Sequence, residues 1–280
     1  MQLQWLLSSA LILMMFAMGL GLRWQDFTRL MRQPRITLAS LAAQMLLLPS
    51  LAIAVALGFG LGAAAAAGLL LVALCPSGST SNFFTRLGQG NTALSVSLTA
   101  INSLVSVVTI PIVFLSVAPL LGYQGSGVTL SFFSTVEDIA LHTLLPVAVG
   151  MLLRGLAPGL SRRIETGVVS LSSGVFFIVV AILWYQNWGN IVRSFATTGV
   201  ATMVLLGLAM ASGWFAGRII KASQRDKFTM MIEVGIQNGA LAFFIAVNLM
   251  KDPTLVGAPT VYTVAMVLAA IPAVLVRRFL

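Results

Sequence analysis

The chain has 280 residues, of which 59% are hydrophobic and only 8% charged. Soluble domains carry about 25% charged residues, so this composition excludes one and points to an all-α polytopic protein of the lipid bilayer. A net charge of +9 is no nucleic-acid footprint here, because the basic residues sit at the ends of apolar runs, where the positive-inside rule puts them.

Those runs are about 20 residues long, the length of a helical span and about twice that of a barrel strand. The first, at 5–22, has no basic residue before it and reads as a span, not a cleavable leader. A basic loop with Arg23, Arg29, Arg32 and Arg35 follows. The second span, at 36–57, contains Gln44 and Pro49. The third, at 62–87, is interrupted by Cys75-Pro76-Ser77-Gly78-Ser79-Thr80-Ser81-Asn82. The fourth, at 91–120, has Pro111 as its expected kink. A polar linker leads to the fifth, at 136–153, and Arg154, Arg162 and Arg163 fall in the next loop. The sixth, at 167–185, ends in a polar stretch, Gln186 to Asn190. The seventh, eighth and ninth are expected at 195–214, 228–249 and 254–276.

Charge sidedness supports nine spans. With the amino terminus outside and the carboxyl terminus cytoplasmic, every Lys and Arg except Arg193 and Lys251 lies inside. An odd count lets spans one to four and six to nine be inverted repeats, with the fifth reversing the direction of the second set. The interrupted third span then pairs with the eighth. Paired broken helices are the sequence signature of a secondary transporter whose site lies near the bilayer midplane.

The eighth span reads Ile232-Glu233-Val234-Gly235-Ile236-Gln237-Asn238-Gly239, and Glu233 is the one acidic residue that falls inside a span, about 9 Å deep. A carboxylate there costs a few kcal/mol and points to function, although a structural partner from a backbone or hydroxyl donor remains the alternative. Gly235 and Gly239 form a GxxxG that serves either helix packing or local unwinding. In the fourth span Ser95, Thr99, Asn102 and Ser106, with Ser103 adjacent, fall on one side of the helix. Single hydroxyls of this kind commonly bond back to their own helix, whereas a stripe containing Asn suits a polar interior. Gln44 is either an interhelical hydrogen-bonding amide or part of the same site.

A carboxylate, amides, hydroxyls and freed carbonyls suit a hard cation, and a single carboxylate favours a monovalent one over Ca²⁺. Sodium is the reading, with proton coupling through Glu233 as its rival, export of a small anion as a related reading, and a channel or receptor as the reading from another class. Half-helix amino termini at the breaks would offer N–H groups to an anion. A single cysteine and a single histidine exclude an internal disulfide and a multi-His metal site. His142 stands alone and no HExxH or GxSxG occurs, so no enzyme is expected.

The two interrupted segments, with Gly90-Asn91-Thr92-Ala93-Leu94-Ser95-Val96-Ser97-Leu98-Thr99 between them, resemble the bile acid:sodium symporter family. Met18-Gly19-Leu20, Trp24-Gln25-Asp26-Phe27 and Ala43-Gln44 ahead of Pro49 fit it too. The likeness is to its nine-helix form. It implies a core of about 36–120 and 195–276, with crossing broken helices, and a panel of about 5–22 and 136–185. It further implies two sodium sites: one at Ser81, Asn82, Ser95, Thr99 and Glu233, the other at Gln44, Glu233, Gln237 and the carbonyls of Val234 and Ile236. Ser79, Thr80 and Asn238 match positions at the crossing that could contact an organic anion. The last helix reads Ala265-Met266-Val267-Leu268-Ala269-Ala270 where bile-acid-type members are polar, a departure from bile-acid recognition. The expectation is therefore a sodium-coupled symporter of an organic anion, in a bacterial inner membrane.

Overall fold

The computed structural model describes residues 2–125, 131–194 and 198–279, and among them the chain is helical throughout, without strands. Helix α1 (Gln2–Gly21) is followed by the short α2 (Trp24–Arg32), whose start is held by the Asp26 carboxylate accepting from the Arg23 amide at 2.8 Å. Helix α3 (Pro34–Ala42) starts on a proline, which loses nothing at a position whose N–H has no helical partner. It passes through a π-helical turn, Ala43–Leu47, into α4 (Leu48–Gly58). Pro49 explains that turn: it lacks the N–H that would reach back one turn and its ring crowds the carbonyl there, so the ladder widens just before it.

Helices α5 (Ala63–Leu74) and α6 (Ser79–Leu87) are bent by 63° about residues 75–78. Pro76 restricts the residue before it, and Cys75 accordingly leaves the helix in an extended conformation (φ −67°, ψ 144°). Asn91 caps α7 (Thr92–Val117), its Oδ1 accepting from the Leu94 amide at 3.1 Å. Helices α8 (Phe132–Leu156) and α9 (Pro158–Ser194) are joined through Ala157 alone. Arg154 therefore lies in the last turn of α8, while Arg162 and Arg163 lie in α9, not in a loop. Pro158 allows this, starting a helix at once where the preceding one stops. The polar stretch from Gln186 to Asn190 does not end a helix either, since α9 runs through it to Ser194. At 37 residues α9 is about 55 Å long, more than a hydrocarbon core requires.

Helix α10 (Val200–Ile219) begins later than the expected seventh span, whose start partly falls outside the described residues. Ser223 caps α11 (Gln224–Gly235), and Asn238 caps α12 (Gly239–Phe244), which continues through a second π-helical turn, Ile245–Leu249. A 3₁₀ turn, Pro253–Val256, leads into α13 (Gly257–Phe279).

Among the described residues seven stretches are long and apolar enough to cross a membrane, and the bent α5–α6 pair makes an eighth. The expected sixth span lies within α9. The stretch Gln224–Leu249 is by far the most buried, so the rest of the molecule is built around it. Helix α1 lies against α8 and α9, α10 against α11, and α5 against α4, α7 and α13. Gly19 and Gly150 make the α1–α8 crossing possible, because a Cβ on either would collide with the other helix's backbone, Val147 O and Phe16 O respectively. At the end of α1, Asn248 Nδ2 donates to Gln4 O (3.0 Å) and Ser8 Oγ (2.7 Å), tying the second π turn to it. Beyond the spans, Asp252 accepts from the Thr254 hydroxyl and amide and from Tyr123 Oη. Burial works against the Asp252 carboxylate, but the Thr254 and Tyr123 hydrogen bonds outweigh it and hold its pKa below the ordinary value. Burial and the neighbouring carboxylate push the Tyr123 phenol up.

Candidate ion and substrate site at the helix crossing

The two breaks meet. The Asn238 amide, in the second break, donates to Pro76 O in the first at 2.7 Å. Carbonyls in the first break and at the end of α11 find partners close by, as a bilayer interior demands. Cys75 O accepts from Gln44 Nε2 at 2.9 Å, Gly78 O from Ser81 Oγ at 2.7 Å, and Val234 O from Gln237 Nε2 at 2.6 Å. Gly235 O accepts from Tyr262 Oη of α13 at 3.0 Å.

Glu233 sits in the last turn of α11 and is 1% exposed. Its Oε2 accepts from Ser77 Oγ at 2.5 Å and from Thr99 Oγ1 at 2.9 Å, and its Oε1 from Ser95 Oγ at 2.5 Å. Ser95 Oγ also lies 2.7 Å from Asn82 Oδ1, and Thr99 Oγ1 lies 3.4 Å from Ser81 Oγ and 3.5 Å from Asn82 Oδ1. The five residues expected at the first sodium site thus share one hydrogen-bonded network, drawn from α6, α7 and α11. All its oxygens are hard donors, the type that suits an alkali cation. Among the described residues no cluster of three or more His, Cys, Asp or Glu offers a transition-metal site.

The second expected set is only partly joined. Gln44 Nε2 donates to Gln237 Oε1 at 2.9 Å, and Gln237 in turn reaches Val234 O. The π turn that Pro49 imposes carries Gln44, and both glutamines are 1% exposed. Ile236 is buried in the break beside them. Among the described residues no hydrogen bond links Glu233 to either glutamine, so its membership of this set rests on its place one turn before Gln237.

Ser77 is the residue that sequence reasoning missed. It is fully buried, donates to Glu233, and lies 3.3 Å from Thr99 Oγ1. Its signal was present, since it sits inside the unwound segment, where a hydroxyl has no helix of its own to bond. The serine stripe of α7 divides as its chemistry allows: Ser95 and Thr99 serve Glu233, while Ser103 and Ser106 bond back to Thr99 O and Ser103 O. Asn102 Oδ1 is buried without a partner. His142 packs within the helices: its Nδ1 lies 2.8 Å from Asp138 O and its ring 4.3 Å from that of Phe244.

Ser79, Thr80 and Asn238 line a cavity of about 40 Å³ beside the crossing, room for about three waters. Asn238 Oδ1 accepts from the Leu241 amide at 3.0 Å, capping α12. Its Nδ2 is buried and has no partner. A donor left over at the wall of a cavity calls for an acceptor from a ligand. Met14 and Met15 of α1 and Ser173 and Phe176 of α9 line it too.

The profile of the Sodium Bile acid symporter family matches residues 8–194. The chain belongs to this family. The match takes in the first break and the serine stripe and stops short of α11. A probable sodium/metabolite cotransporter of rice chloroplasts, BASS2, is 30% identical over 256 residues, covering 90% of this chain and 58% of its own length. An uncharacterized sodium-dependent transporter of Bacillus subtilis, YocS, is 29% identical over 238 residues, covering 84% and 71%. A probable sodium/metabolite cotransporter of Arabidopsis chloroplasts, BASS5, is 27% identical over 278 residues, covering 95% and 66%. The chain thus spans little more than half the length of the rice relative. Membership of this family accords with the expectation of a transporter.

Proposed function

We propose that the chain is a sodium-coupled symporter of an organic anion, with two sodium ions held at the crossing. The observation that carries this is Glu233. It is a buried carboxylate that accepts from neutral hydroxyls of two segments, the first break and α7, and among the described residues no cationic side chain bonds to it. An ionised carboxylate at that depth is costly unless a cation accompanies it. The hydroxyls and amides of Ser81, Asn82, Ser95 and Thr99 complete a first cation shell, and Ser77 orients the carboxylate. Gln44, Gln237 and the carbonyls of Val234 and Ile236 supply a second shell next to it.

The order of events follows from the connectivity. The same two breaks that hold the ions carry Ser79, Thr80 and Asn238, so fixing the ions fixes the anion donors. Site formation then depends on sodium, and the anion binds a crossing that sodium has ordered. The core, about 36–120 and 195–276, then moves against the panel, about 5–22 and 136–185, carrying both cargoes. Sodium-gradient-driven uptake of organic acids into proteoliposomes tests this directly. The expected result is uptake that collapses when choline replaces sodium; uptake driven by a pH gradient and indifferent to sodium would assign coupling to protons on Glu233 instead.

A further inference from the structure

Resting on that symport reading, we infer that Asn91, Asp226 and Thr229 form a clamp that sets the spacing of α7 and α11, and through it the sodium affinity of the first set. They are positioning residues: each acts through Ser95, Thr99 or Glu233, one turn or more away along its own helix.

The clamp is built from the caps of the two helices. Asn91 caps α7, and Asp226 lies in the first turn of α11, which Ser223 caps. The Asn91 side chain is divided between them. Its Oδ1 accepts from the Leu94 amide of its own helix at 3.1 Å, and its Nδ2 donates to Asp226 Oδ1 at 2.8 Å. Asp226 Oδ2 accepts from Ser223 Oγ at 2.6 Å, so one carboxylate serves the caps of both helices. Two helix amino termini brought together repel through their partial positive charges, and a carboxylate between them offsets that cost. A second bond runs from the Asn91 amide to Thr229 Oγ1 at 2.8 Å, while the Thr229 hydroxyl donates to Arg225 O.

The turn that leads into α7 leaves the clamp no slack. A Cβ on Gly88 would lie 2.4 Å from the Phe228 ring, and one on Gly90 would lie 2.9 Å from Thr229 Oγ1. The turn between α6 and α7 is therefore pressed directly onto α11.

The register connects the clamp to the ion set. Asn91 precedes Ser95 by four residues and Thr229 precedes Glu233 by four, so the Asn91–Thr229 bond lies one turn, about 6 Å, from the bond between Ser95 and Glu233. Among the described residues, the hydrogen bonds between the start of α7 and α11 are those of the clamp and those that Glu233 itself accepts. A binding constellation must be held to within about 0.5 Å of its productive geometry, and one turn of helix is too stiff to absorb a larger shift at the clamp.

The test is a sodium titration of the detergent-solubilised chain at constant ionic strength, reading both the melting temperature in choline and the sodium midpoint. Asn91→Asp sets two carboxylates face to face and should raise the sodium midpoint about tenfold, the order of a lost hydrogen bond to a charged group. Asp226→Asn should raise it too. The double exchange, Asn91→Asp with Asp226→Asn, keeps a good cap and re-forms the bond with donor and acceptor reversed, so it should return the midpoint to near the wild-type value. Should a member of that series fail to fold, Thr229→Val and Thr229→Ser test the same clamp from its other bond: the valine should raise the midpoint and the serine should not. Unchanged midpoints in the single variants, even with a lower melting temperature in choline, would reduce the clamp to a fastening between helices and overturn the inference. A midpoint that stays raised in the double exchange would overturn it too. Both results leave the sodium shift of the wild-type chain intact, and absence of that shift would overturn the symport reading itself.

Discussion

At the first break, between α5 and α6, the backbone cannot stay helical: Pro76 forces Cys75 to extend, Gly78 follows in an extended conformation, and the chain turns by 63°. At the second, between α11 and α12, there is no proline, and the span can be followed from Gln224 to Leu249 without such a bend. It is held open by its neighbours instead, through Tyr262 on Gly235 O and the Asn238 amide on Pro76 O. The division of chemistry matches the division of geometry. The sharply bent break supplies hydroxyls and carbonyls, and the gentler one supplies the carboxylate and two amides. A pair of breaks can therefore be unlike in cause and still be complementary in function.

Glu233→Gln breaks the pair at its shared member and should have the largest effect. Removing the charge from the proposed ion site should cost about 3 kcal/mol or more, which is about a hundredfold or greater loss of apparent sodium affinity in a thermal-shift titration. Thr99→Val removes the hydroxyl that bridges Glu233 and the first break; a hydrogen bond to a charged group is worth about 2 kcal/mol, so sodium affinity should fall about thirtyfold. Ser77→Ala acts on the same carboxylate from the bent break and should cost about 1.5 kcal/mol, about tenfold, by the same titration. An unchanged affinity in Ser77→Ala would restrict the first break's role to Ser81 and Asn82. Gln44→Ala should weaken only the second set, lowering the Hill coefficient for sodium towards one with a modest change in midpoint.

The smallest effect lies outside the crossing. Tyr123→Phe removes one donor from Asp252 and should cost about 1 kcal/mol of stability at neutral pH. Because the Asp252 carboxyl is held below its ordinary value, its contribution is present above the unfolded carboxylate range, about pH 3.9, and lost as pH falls through the folded value. Tyr123→Phe should move that acid loss upward, which unfolding measured from pH 6 to pH 2.5 will show.

Much of this was legible in the chain itself. Pro76 and the polar run around it announce the first break, because no regular span accommodates them. Glu233 announces the second, because a lone intramembrane acid demands an explanation. Ser95 and Thr99 could be read from helical spacing, although spacing alone did not separate them from Ser103 and Ser106, which bond to their own helix. Ser77 was not legible as a partner of Glu233, since the bond spans 156 positions and depends on how the two breaks cross. The cavity lining from α1 and α9 was equally hidden: Met14 and Phe176 carry no polar signal, and only the fold brings them beside the crossing. The extent of α9 was misread for a local reason, because polarity from Gln186 to Asn190 ends a membrane span but does not end a helix.

The most direct measurement is a sodium titration of the wild-type chain in detergent at constant ionic strength, with choline as the replacement ion and the midpoint unfolding temperature as the readout. The proposed pair of sodium ions at the breaks predicts a saturating rise with a Hill coefficient above one, amounting to about 2.7 kcal/mol for a site at a hundred times its dissociation constant. A midpoint that does not move between choline and sodium would contradict the account at its centre.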